Sequence, residues 1–267
     1  VTGVQTCALP ISLVLAARGL PSWELFAIFT AGAFLMRSAG VILNDLADQS
    51  FDRRVTRTKS RPLASGELTR SQAFVLLALL LAAAGLLLVF LNPLTRWLAP
   101  IAMALAALYP FAKRFIHIPQ AILGIAFGWG TIMAWTATRN TVEPQAWIVF
   151  AATVVWAIAY DTIYAVQDQE DDRRIGVKSS ALLFGSALWI AVGLALGTML
   201  VLLVLAGRLA EIGWAYYLAL GAVGIFFAVQ SAALRNRVDP PQAFRMFQAH
   251  VWAGAAILAG LVAGFLL

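Results

Sequence analysis

Trp23–Asp52 reads WELFAIFTAGAFLMRSAGVILNDLADQSFD. The part from Trp23 to Asn44 is almost wholly apolar and long enough to cross a bilayer as a helix, which takes about 20 residues. It runs straight into Asn44-Asp45-Leu46-Ala47-Asp48-Gln49-Ser50-Phe51-Asp52, where Asn44, Asp48 and Asp52 recur every fourth residue along one helical face. One charge, Arg37, interrupts the apolar part, and it falls on that same face. An ionisable group inside a membrane costs about 3 kcal/mol or more unless it is paired or used, so Arg37 is a functional candidate.

Working outward, the rest of the chain repeats the apolar theme. Of 267 residues, 61% are hydrophobic and 12% charged, with a mean hydropathy of +0.84. A soluble domain carries about twice that share of charge. Apolar runs at Trp23–Asn44, Gln72–Leu91, Trp97–Phe111, Pro119–Ala137, Ala146–Ala165, Ala181–Ala206, Trp214–Ala233 and His250–Leu267 predict eight full spans, with a stub at Ser12–Ala17. The fold class is an all-α transmembrane bundle in one domain, 12–267. Residues 1–11, VTGVQTCALPI, read like a translated sequencing adapter, so this segment is expected to be non-native and its Cys7 without meaning. With one cysteine, neither a disulfide framework nor a multi-cysteine metal site fits.

The net charge of +6 has a topological explanation, and no nucleic-acid partner is expected. Fourteen of the nineteen Lys and Arg fall in loops on one side: Arg53–Arg70, Lys113–Arg114, Arg173–Lys178 and Arg235–Arg245. Only Arg18, Arg96, Arg139 and Arg208 fall on the other. The basic side is therefore expected to face the cytoplasm of a bacterial inner membrane, and both acidic motifs open onto it.

The second motif is Tyr160-Asp161-Thr162-Ile163-Tyr164-Ala165-Val166-Gln167-Asp168-Gln169-Glu170-Asp171-Asp172. Asp161, Asp168 and Asp172 repeat the spacing of Arg37, Asn44 and Asp48, which on continuous helices predicts two matching polar stripes. Two facing acidic stripes repel unless a cation lies between them. Oxygen donors without nearby His or Cys suit Mg²⁺ or Ca²⁺, and Mg²⁺ completes its shell with water and substrate phosphates. Arg57, Lys59 and Arg61 follow the first motif, Lys178 follows the second, and Lys113-Arg114 lies between them. Taken with the acidic motifs, these bases read as a diphosphate clamp.

NDLADQSFD resembles the N-D-x-x-D-x-x-x-D motif of the UbiA-type intramembrane prenyltransferases. YDTIYAVQDQEDDRRIGVKS is similar to the second motif of their 4-hydroxybenzoate polyprenyltransferase branch. RTKSRPLASG, YPFAKRFIHIPQ and LGIAFGW add to the resemblance, which extends from about Leu13 to the C-terminus. It implies nine helices around a cavity, of which the first is here a remnant. It also implies Mg²⁺ as cofactor, held by Asn44 and Asp48 and by Asp168 and Asp172. Asp45, Asp52 and Asp171 would support these ligands, while Arg57, Arg61, Arg114 and Lys178 would grip the diphosphate. The implied substrates are a polyprenyl diphosphate and 4-hydroxybenzoate. Arg37 would then meet the benzoate carboxylate, and Asp161 would orient or deprotonate the phenol.

Other readings stay open on the residues alone. Carboxylates in spans also mark cation-coupled transporters, though those place them near helix midpoints. A naphthoate, haem or chlorophyll precursor is an alternative acceptor. His117 and His250 read as interfacial, most of the nine Trp as anchors at span ends, and Gly124, Gly128 and Gly130 as sites of close helix packing. Tyr109, Tyr160 and Tyr164 would either face a carbocation or pack in the core.

Overall fold

The computed structural model describes residues 7–53, 58–112, 115–116, 118–176, 178–236 and 238–267. Twelve helices carry these residues: α1 (Ala8–Ala17), α2 (Trp23–Asp52), α3 (Pro62–Ser65), α4 (Arg70–Leu87), α5 (Pro93–Ala112), α6 (Pro119–Arg139), α7 (Pro144–Ala165), α8 (Gln169–Ile175), α9 (Ser180–Phe184), α10 (Leu188–Leu209), α11 (Trp214–Ala233) and α12 (Pro240–Leu266). Eight of the helical stretches are long and apolar enough to cross a membrane, and α1 is a shorter apolar helix. α1 opens inside the segment expected to be non-native, and its Ala8 and Ile11 are buried.

The helices begin where the chain supplies caps for their first N–H groups. Ser22 accepts from Leu25 at the head of α2, Thr69 and Gln72 form a capping box on α4, and Asp239 accepts from Gln242 on α12. Proline occupies the first turn of α6, α7 and α12, where its missing N–H costs nothing. Outward faces carry large apolar side chains, among them Trp97, Phe90 and Ile225, as a lipid-facing surface requires.

Two packing blocks result. α7 is the centre of the larger, against α6, α10, α12 and α1, with α11 joined through α10 and α12. Its core holds Trp156, Tyr160, Ile163, Met199, Phe227 and Ile257. In the smaller block α2 packs on α3, α4 and α5. α5 and α6 join the blocks, whereas α2 and α7 make little backbone contact. The glycines permit close approach as expected. A Cβ built on Gly124 would lie 2.8 Å from the Val154 carbonyl oxygen, and one on Gly128 would lie 2.9 Å from the Phe150 ring.

The observed helices bear on four expectations. α2 continues past Asn44 to Asp52, so the whole first motif is helical, as its four-residue spacing implied. The second motif is not one helical stripe. α7 ends at Ala165 and a 3₁₀ turn, Val166–Asp168, precedes α8. That turn is held by the Gln167 amide donating to the Tyr164 carbonyl at 3.1 Å and the Gln169 amide donating to the Ala181 carbonyl at 3.0 Å. α12 starts at Pro240, ten residues before the expected span, which puts His250 deep in the bundle and fully buried rather than at the interface. Trp156 and Trp135 are core residues, because they face the inside of α7 and α6. His117 lies outside the described residues.

Candidate active site

The first wall of the candidate site is the end of α2. Arg37, Asn44 and Asp45 are half-buried along it, while Asp48 is fully buried and Asp52 nearly so. Asp48 therefore sits inside the protein and not on a water-facing rim. The segment after α2 turns back over this end. There Arg61 donates through Nη1 to Asp45 at 2.7 Å and to Asp52 at 3.0 Å, bridging two turns of the helix. The Gln49 amide donates to the Leu63 carbonyl at 2.9 Å, Arg53 Nε to the Ala64 carbonyl at 3.2 Å, and the Thr58 hydroxyl to the Asp52 carbonyl at 3.1 Å. Arg61 thus clasps the two outer aspartates of the motif. Lys59 is exposed nearby. Arg57, Lys113 and Arg114 lie outside the described residues.

The second wall is the end of α7 with α8. Asp161 is in the last turns of α7, Asp168 closes the 3₁₀ turn, and Asp171 and Asp172 lie in α8, the last three all half-buried. Asp171 lies 3.9 Å from Arg174. The Lys178 ammonium donates to the Phe115 carbonyl at 3.3 Å, which ties the loop after α8 to the one after α5. Thr162 and Ser180 hydroxyls, 2.8 Å apart, pin α9 beneath.

Between the walls the structure assembles Arg37 with Tyr160, Tyr109, Tyr164 and Asp161, all within electrostatic reach of its guanidinium. Asp161 also feels Asp168, and Tyr109 feels Asp48. Residues from α2, α5 and α7 thus share one polar patch in an apolar bundle. Two contributors have no counterpart in the reading of the sequence. Gln120, buried in the first turn of α6, hydrogen-bonds the Asp161 carboxylate. Its signal was a glutamine directly after Pro119 in an apolar helix. The second is the buried His250 behind Tyr160, which the misplaced start of α12 concealed.

Among the described residues, no group of three or more His, Cys, Asp or Glu side chains forms a ready-made metal cage. The candidate donor set, Asn44 and Asp48 on one wall with Asp168 and Asp172 on the other, offers only oxygen ligands. That fits Mg²⁺, which keeps water and takes phosphate oxygens instead of a full protein cage.

Residues 6–265 match the UbiA prenyltransferase family. The chain belongs to that family. It is 44% identical over 256 residues to a 4-hydroxybenzoate octaprenyltransferase of Pseudomonas aeruginosa (strain LESB58), covering 96% of this chain and 86% of the relative. A 4-hydroxybenzoate octaprenyltransferase of Cupriavidus necator is 44% identical over 251 residues, covering 94% and 88%. The fold resembles the apo structure of a UbiA homolog from Aeropyrum pernix K1, with a TM-score of 0.83 and 24% identity over 97% of each chain. A UbiA homolog from Archaeoglobus fulgidus bound to GPP and Mg²⁺ superposes with a TM-score of 0.69 at 16% identity, covering 98% of this chain and 96% of the other. Family membership and the bundle of apolar helices make this UbiA-family chain an integral membrane protein.

Proposed function

We propose that this chain transfers a polyprenyl group from a polyprenyl diphosphate to 4-hydroxybenzoate, at the ring carbon ortho to the hydroxyl, as a step of ubiquinone biosynthesis. The observation that carries the reading is Arg37, set within a membrane span and within electrostatic reach of Asp161 and three tyrosines. A guanidinium there can take a planar carboxylate in two parallel hydrogen bonds, and a benzoate offers one. The names of the relatives support the same acceptor.

Asn44 and Asp48 would hold one Mg²⁺, and Asp168 and Asp172 the other. Bound there, Mg²⁺ would supply the positive charge that lets the diphosphate leave. Lys59 and Lys178, together with Arg57, Lys113 and Arg114, provide bases for the diphosphate oxygens. Arg61, Asp45 and Asp52 hold the first motif in shape. With its carboxylate on Arg37, the acceptor presents its hydroxyl end toward Asp161, which Gln120 orients. The allylic C–O bond breaks, a C–C bond forms at the ortho carbon, and the ring proton leaves, with Asp161 as its nearest base. Any of Tyr109, Tyr160 and Tyr164 whose ring faces the cationic carbon would stabilise it, and the apolar helices would keep water from it. The Lys and Arg asymmetry supports insertion in the bacterial inner membrane with the motifs toward the cytoplasm.

The test is turnover by membranes carrying the protein, given Mg²⁺, a polyprenyl diphosphate and a panel of aromatic acceptors. Prenylated 4-hydroxybenzoate is expected, and EDTA should abolish it. Product from a naphthoate with none from 4-hydroxybenzoate would overturn the assignment.

A further inference from the structure

Against the Tyr160 ring, three helices are joined by a buried chain of hydrogen bonds. Trp156 Nε1 on α7 donates to His250 Nδ1 on α12 at 2.9 Å. His250 Nε2 lies 2.8 Å from the Gln230 Oε1 of α11, and the Gln230 amide nitrogen donates to the Met246 carbonyl at 2.9 Å. The chain has one consistent direction. An indole nitrogen only donates, so Nδ1 must accept. Neutral imidazole then carries its proton on Nε2 and donates it to Gln230, whose amide nitrogen is left to donate onward. A second proton on Nδ1 would point at the Trp156 N–H. His250 is fully exposed to this network and not at all to solvent.

The same imidazole is wedged among rings. Phe227 stacks on it at 5.1 Å, and Tyr160 meets it edge-on at 6.1 Å. Tyr160 is held further by Phe247 at 5.8 Å and by Trp156 at 6.4 Å. Its ring therefore has neighbours on the core side from both α7 and α12, and Tyr160 is within electrostatic reach of Arg37.

We propose that His250, in the neutral form with its proton on Nε2, is a positioning residue for the acceptor half of the site: through Trp156 and Gln230 it fixes Tyr160 against Arg37. It touches no reacting atom. The proposal rests on Arg37 being the acceptor's anchor, and it assigns no part to His250 in binding the diphosphate.

The experiment compares His250→Leu, Trp156→Phe and His250→Asn in purified full-length protein. Trp156→Phe keeps an aromatic ring and removes the N–H, whereas His250→Asn offers a carbonyl oxygen near the position of Nδ1. Trp156→Phe and His250→Leu should each raise KM for 4-hydroxybenzoate on the order of tenfold, since each leaves buried polar groups unpaired. KM for the polyprenyl diphosphate should stay within about twofold, and the double variant should be no worse than His250→Leu alone. His250→Asn should recover much of the acceptor affinity. Equal rises in both KM values, or no rise in a folded variant, would overturn the proposal. A second readout does not depend on the acceptor. Nitrogen-15 spectra of histidine-labelled protein, with His250 identified by its loss in His250→Leu, should show unprotonated Nδ1 and protonated Nε2 at neutral pH. The opposite tautomer or an imidazolium would also overturn it. Wild-type protein that turned over a different acceptor would instead refute the substrate assignment, and the tautomer result would stand apart from that.

Discussion

Arg37 and Arg61 are two arginines of the candidate site in different settings. Arg61 is ion-paired with Asp45 and Asp52 near the end of α2. Arg37 lies further into the span, within electrostatic reach of Asp161 and of three phenols, and is the proposed anchor of the acceptor. Arg37→Ala should therefore raise KM for 4-hydroxybenzoate about ten- to a hundredfold, the loss of a charge-assisted contact of roughly 1.5–3 kcal/mol, with little change for the diphosphate substrate. Steady-state kinetics with each substrate varied in turn decides this, and an unchanged acceptor KM would remove Arg37 from the site. For Arg61 the expected loss is local order. Arg61→Ala, or Asp45→Asn with Asp52→Asn, should speed limited trypsin cleavage after Lys59, by an amount corresponding to about 1 kcal/mol once solvent screening is allowed for. Arg37 and Asp161 were legible in the sequence because a charge stands out in an apolar run. The pairing of Arg61 was not, since it depends on residues 58–65 folding back over α2. The burial of Asp48 was hidden for the same reason.

At the level of elements, long apolar runs announced the spans, but periodicity could not see where helices break or start. The spacing of Asp161, Asp168 and Asp172 fits an α-helix, and a 3₁₀ turn held by Gln167 and Gln169 breaks it. α12 was started too late because polar residues in its first turns hid an uninterrupted helix. Helix contacts were better marked, by glycine. A Cβ on Gly260 would lie 2.2 Å from the Ala219 Cβ, where α11 and α12 nearly touch, and Gly124 meets backbone on α7. Gly260→Val and Gly124→Val should each lower stability by about 1–3 kcal/mol through overpacking. Gly221, with open space at its Cβ, makes the control. Gly221→Ala should be neutral or stabilising by up to about 1 kcal/mol. Thermal unfolding in detergent, followed by tryptophan fluorescence, orders the three variants, and equal melting temperatures would contradict the packing argument.

For the whole molecule, the charge pattern predicts which face meets which compartment. In a Cys7→Ser background, Asn236→Cys and Thr141→Cys place single thiols at exposed positions on opposite sides of the bundle. A membrane-impermeant maleimide added to intact cells should label Thr141→Cys and leave Asn236→Cys for lysed cells, and the reverse pattern would invert the topology. The two-block arrangement has a mechanical consequence as well. The blocks are laid out like the covers of a book with α5 and α6 as its spine, stitched at the end remote from the acidic motifs. There Asn92 donates to the Thr136 carbonyl at 2.7 Å, the Thr95 and Thr136 hydroxyls lie 2.9 Å apart, and Trp129 donates to the Leu98 carbonyl at 3.0 Å. Tyr109 is about 21 Å along α5 from Thr95 at 1.5 Å per residue, so each degree of rotation at the stitching moves the motif end by roughly 0.4 Å. Leverage of this kind converts an adjustment too small to disturb the core into the width of one hydrogen bond at the page edge, where both substrates must be gripped at once.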